Sequence, residues 1–103
     1  MKDKHGMQAE VLREAEKSLF EAVVSLRDIG ECGNFFKDLC TPAELQALVD
    51  RWAVVCLLRE GRTYRDINER TGVSVTTIGR VARFLAEGYG GYRTVAERLR
   101  PRS

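Results

Sequence analysis

The stretch "TYRDINERTGVSVTTIGRVARFL", residues 63–85, holds two short helical patterns separated by Gly72. Thr63 stands three residues before Asp66, an approximate capping box, and predicts a helix over about 63–70. Ser74 predicts the start of a second helix that runs to about Glu87. Gly72 suits the tight corner of a helix-turn-helix, in which the first helix crosses a phosphate backbone and the second lies in the major groove. In that arrangement Ile67, Val73, Ile78 and Val81 point inward and fix the angle between the helices. Val75, Thr76, Thr77, Gly79, Arg80 and Arg83 are left largely outside.

Those outer residue types suit contact with a duplex. Short side chains near the start of a reading helix let its backbone approach base edges, where bulk would hold it away. Thr76 and Thr77 can hydrogen-bond to bases or phosphates, and Val75 or a Thr methyl can meet a thymine methyl. Gly79 keeps the middle of the helix slim. Arg65, Arg80 and Arg83 supply charge for phosphates, and the helix start after Ser74 offers amide groups to an anion. The competing account is two core-packing helices with a capped turn, since Ser74 would cap a helix in any protein.

Charge bears on the two accounts without separating them by itself. The net charge of the 103 residues is only +2, yet residues 1–61 carry 8 Lys/Arg against 11 Asp/Glu, and residues 62–103 carry 9 Arg against 4 acids. A basic second part on a neutral or acidic body is expected of a nucleic-acid binder, yet charge alone suits a solvated arginine surface equally well; helix pattern and charge together favour DNA. The three cysteines, Cys32, Cys40 and Cys56, lack the paired spacing of a zinc site, and His5 is the single histidine. No metal, cofactor or catalytic group is therefore expected, and an enzyme ranks behind any binding role. No leader is apparent at the N-terminus, and the longest apolar run, "WAVVCLL" at 52–58, is far short of the roughly 20 residues that span a bilayer. The cytoplasm is the expected location, with no membrane partner.

Upstream, apolar residues at Leu12, Ala15, Leu19, Val23 and Leu26 predict a long amphipathic helix from about Gln8 to Ile29, with Gly30 and Gly33 bracketing its end. "NFFKDL" at 34–39 predicts a short second helix that plants Phe35 and Phe36 in a core. "TPAEL" at 41–45 starts a third, with Thr41 as cap, Pro42 in the first helical position and Glu44 completing a capping box. It runs to about Glu60 and is apolar on nearly every side in its second half, from Trp52 through Leu58. One short chain has little with which to surround such a helix, so a homodimer is expected. Gly61 ends the third helix, "GYGG" at 88–91 breaks the chain after the reading helix, and "YRTVAERL" at 92–99 gives a final short helix. The expected organisation is one all-α domain over 1–103: dimerisation helices over 8–61, a helix-turn-helix over 62–88, and a C-terminal helix and tail over 89–103.

With "LCTPAE", "LLREG", "TYRDI", "TGVSVTTIGRV" and "GYGGY" in this order, residues 10–100 resemble the Trp repressor superfamily, in particular its YerC/YecD-like members. The resemblance implies an intertwined helical homodimer with the helix-turn-helix units outside, acting as a transcriptional regulator on a palindromic operator. It also implies a candidate effector site. Thr41, Arg51 and Arg80 match the residues with which the Trp repressor holds its corepressor, and two arginines can clamp a carboxylate and the face of a flat ring. Phe84, however, stands where a serine receives the ligand's amino group, and Val81 where a glycine leaves room. Tryptophan is therefore disfavoured as the effector. The expected function is a sequence-specific DNA-binding regulator of the repressor kind; the alternative is a helical protein-interaction module without DNA binding.

Overall fold

The computed structural model describes residues 8–100; His5 and the tail residues 101–103 lie outside the described residues. Six helices follow one another: α1 (Ala9–Val24), α2 (Ile29–Leu39), α3 (Pro42–Arg59), α4 (Tyr64–Thr71), α5 (Val75–Glu87) and α6 (Gly91–Arg98). No strand is present among the described residues. The chain falls into two compact units, one ending at Thr41 and one beginning at Pro42. The division lies inside the 8–61 segment, because α3 packs with α4, α5 and α6.

In the first unit the expected helix to Ile29 stops five residues early. Ser25 ends it, donating from its hydroxyl to the Ala22 carbonyl at 2.7 Å. Asp28 then opens α2 by accepting from the Glu31 amide at 2.8 Å, while the Glu31 carboxylate accepts from the Arg27 amide at 3.1 Å. This exchange, a variant of the capping box, satisfies amides that an uninterrupted helix would not have exposed. Gly30 and Gly33 consequently sit inside α2 rather than at the end of α1. Phe35 and Phe36 pack edge to face, with ring centres 5.6 Å apart. Neither α1 nor α2 buries a single residue completely, and Phe20, Val24 and Ile29 are 58%, 84% and 91% exposed.

The second unit has a core of its own. Val54 and Val55 of α3 meet Ile67 of α4, Val73 of the turn and Ile78 and Val81 of α5, all buried. Trp52, Leu57, Leu58, Leu85 and Tyr92 pack around them. Pro42 occupies the first position of α3, where its missing N–H leaves nothing unsatisfied. The helix closes at Gly61, whose amide bonds to the Leu58 carbonyl while that of Arg62 reaches back to Leu57, the paired bonds of a Schellman ending. Leu48 and Val49, in the first half of α3, remain exposed. α6 is tied to α3 by an ion pair between Arg59 and Glu97 at 3.0 Å and by the Trp52 and Tyr92 rings, 6.5 Å apart.

Candidate nucleic-acid interface

The corner between α4 and α5 is built from short, local bonds. Thr63 caps α4 by accepting from the Asp66 amide at 3.0 Å, and Ser74 caps α5 by accepting from the Thr77 amide at 3.1 Å. Between them Gly72 adopts φ +74°, a left-handed conformation that costs a side chain roughly 1–2 kcal/mol. Two side chains lock the turn. The Thr71 hydroxyl donates to the Ile67 carbonyl at 2.7 Å and accepts from the Val73 amide at 3.0 Å, and the Asn68 side-chain amide donates to the Val73 carbonyl at 2.9 Å. With Ile67, Val73, Ile78 and Val81 buried beneath, the two helices are held from the corner and from the core together.

The side of α5 away from that core carries the expected contact residues. Val75 is 55% exposed and Thr76, Arg80 and Arg83 are exposed. Neither Arg80 nor Arg83 forms an ion pair among the described residues. Arg65, on α4, pairs with Glu69 at 3.3 Å with its side chain 89% exposed. So exposed a pair contributes little, and the guanidinium is readily exchanged to another anion. The first turn of α5 has no acidic residue, which leaves the positive end of its dipole uncompensated.

Two residues sit differently from the rest of this group. Thr77 is half-buried, and its hydroxyl accepts from that of Ser74 at 3.1 Å. Gly79 is half-buried beside Tyr64, whose ring would stand 3.9 Å from a Cβ at that position. The roles of Asn68, Thr71 and Tyr64 went unread in the sequence. A polar residue near a helix end is the only local sign that Asn68 and Thr71 give, and nothing local announces Tyr64.

A cavity of about 450 Å³ opens on the inner flank of α5, lined by Arg51, Thr77, Arg80, Val81, Phe84 and Tyr92. It brings together three of the four candidate effector residues; the fourth, Thr41, ends the other unit. Val81 is not a free wall of this cavity, being 1% exposed and part of the core. Phe84 is 42% exposed and carries the Arg80 guanidinium 5.9 Å from its ring centre. On α6, the hydrogen bond and charge of Arg59, helped by Arg100, hold the Glu97 carboxyl below its ordinary range.

Residues 14–100, which include this corner, match the family model described as Trp repressor protein. The chain belongs to the Trp repressor family. Its likeness to the Bacillus subtilis (strain 168) protein YerC, itself uncharacterised, is 44% identity over 95 residues, covering 91% of each chain. A TrpR-like protein from Eubacterium eligens ATCC 27750 superposes with a TM-score of 0.80 at 49% identity, over 84% of this chain and 89% of that one. A candidate Trp repressor from Staphylococcus aureus superposes at 0.81 with 40% identity, over 90% and 94%. The Trp repressor-like fold family consists generally of DNA-binding regulators rather than enzymes. In this member no helix among the described residues is long and apolar enough to cross a membrane.

Proposed function

We propose that the protein is a sequence-specific DNA-binding transcriptional regulator, a repressor that acts as a homodimer on a palindromic operator in the cytoplasm. The observation that carries this reading is the locked corner at Gly72 with Arg80 and Arg83, which form no ion pair among the described residues, on the exposed flank of α5. Arg65, Arg80 and Arg83 would meet phosphates, and Val75 and Thr76 base edges, with Ser74, Thr77 and Gly79 shaping the approach. The bare apolar surface of α1 and α2 supports the dimer, since a second chain would supply the burial that these helices lack. In this reading 8–61 is the dimerisation segment, 62–88 the reader and 89–103 completes the domain.

Selecting bound fragments from a random DNA pool tests the proposal. The expected result is a two-fold symmetric consensus whose half-sites lie about one turn of the duplex, roughly 34 Å, apart. Affinity should fall steeply with salt as counterions are released. Unselective or absent DNA binding by a folded dimer would overturn the reading in favour of a protein-interaction module. A folded monomer at micromolar concentration in sedimentation would overturn the dimer.

A further inference from the structure

The α5 helix ends on a side chain from α6. One Nη of Arg93 donates to the Leu85 carbonyl at 3.3 Å and lies 3.5 Å from that of Ala86. Both carbonyls belong to the last turn of α5, where the amides four residues on are already outside the helix. That turn has no basic residue of its own, so Arg93 is the cation set against the negative end of its dipole. The path that returns the chain to this point is narrow. A Cβ on Gly88 would collide with the carbonyl oxygen and ring of Phe84, and Gly90 turns the chain at φ +85°. α6 is itself fastened to α3 through Arg59 and Glu97 and through Trp52 and Tyr92.

We propose that Arg93 is a positioning residue for the reading helix, fastening the C-terminal end of α5 to the frame of α3 and α6. The proposal rests on the DNA-reading role argued above. Leu85 is ten residues beyond Val75, about 15 Å along the helix axis, so Arg93 acts through the orientation of α5 and not by touching the bases that Val75 and Thr76 face. The core at Ile78 and Val81 holds the middle of the helix, and the Ser74 corner holds its start. Arg93 supplies the third point, without which the helix can pivot about the other two.

Hydrogen exchange and DNA binding of the full chain, as Arg93→Ala and Arg93→Lys, decide the matter. In the free protein Arg93→Ala should speed exchange of the Glu87 and Gly88 amides about two- to fivefold while leaving those of Val54 and Val55 unchanged. Arg93→Lys, which keeps a cation near the carbonyls, should recover part of the protection. With two reading helices per complex, discrimination between the selected operator and unrelated DNA should fall about four- to twenty-fivefold in Arg93→Ala, with an unchanged salt dependence. Equal loss on both DNAs, with a salt slope shallower by about one, would make Arg93 a phosphate contact and overturn the proposal. Unchanged exchange at Glu87 and Gly88 would overturn it whatever the DNA result. Should the wild type bind no DNA, the functional reading falls, and exchange alone judges whether Arg93 holds the helix.

Discussion

The Arg80 guanidinium lies over the ring of Phe84, 5.9 Å from its centre and one turn away on the same helix. A flat aromatic ligand gripped by Arg80 would have to displace a flat aromatic side chain that already occupies that place. An exposed cation–π contact contributes only about 0.5–1 kcal/mol, so displacement is affordable by itself. The larger obstacle is the ligand's ammonium group, which would lose its partner beside Phe84 at a cost of roughly 1–3 kcal/mol. DNA binding should therefore be independent of L-tryptophan. Adding it to protein and operator fragment should leave the affinity unchanged, and a large rise at micromolar concentrations would show that the Phe84 cavity opens to it.

Readout and attraction should separate on α5. Replacing Arg83 by Ala should weaken binding to every sequence by a similar factor. Thr76→Ala should shift preference at particular base pairs by roughly 1–3 kcal/mol. Thr77→Ala should act more through the corner, because its hydroxyl is engaged by Ser74. Competition binding over a panel of single-base operator variants reads all three, and a Thr76→Ala protein with wild-type affinity and preference would mean that the reading helix is misassigned.

The turn itself can be weighed by urea unfolding at fixed protein concentration. Gly72→Ala should cost about 1–2 kcal/mol from backbone conformation alone, since no atom lies within 4 Å of the added methyl. Asn68→Ala should cost about 0.5–1.5 kcal/mol for the lost bond to the Val73 carbonyl. Destabilisation by Asn68→Ala but not by Gly72→Ala would mean that the left-handed turn relaxes in solution.

Acid should loosen α6 from α3. The Arg59 hydrogen bond and charge lower the folded pKa of Glu97 below its ordinary 4.5, so the unfolded chain takes up this proton first as pH falls. The resulting stabilisation is present above about pH 4.5 and is lost as pH falls through the folded value. A Glu97→Gln protein should melt below the wild type at pH 7, with the difference shrinking in acid below 4.5. A difference that stays constant with pH would show that the carboxylate charge plays no part in the tie.

The corner between α4 and α5 was legible in the sequence because its signals are local. Thr63, Gly72 and Ser74 each announce themselves within four residues, and Ile67, Ile78 and Val81 follow from helical spacing once those points are set. The α1 and α2 boundary was not legible. Leu26 and Ile29 continue the apolar spacing of α1 straight through the break, while the Asp28 cap that decides it is overshadowed by the glycines at 30 and 33. The cavity shared by Arg51 and Arg80 came from a family resemblance. The ring of Tyr92 completing it and the Arg93 bonds to α5 depend on a tertiary path that no local pattern reports.

The stretch from Gly88 to Gly91, a three-residue joint and the first residue of α6, also sets what a library of variants could contain. Position 88 is closed by space, since any side chain would strike Phe84, and position 90 is restricted by its backbone angle. Tyr89 projects fully into solvent and Gly91 has nothing within 4 Å of an added methyl. Saturation mutagenesis scored by the amount of folded protein should thus return a nearly single-letter column at 88, a narrow one at 90 and broad tolerance at 89 and 91. For anyone attaching a fluorophore to follow α5, Tyr89→Cys in a chain whose Cys32, Cys40 and Cys56 have been replaced is the place where the label would report on that joint without disturbing its path.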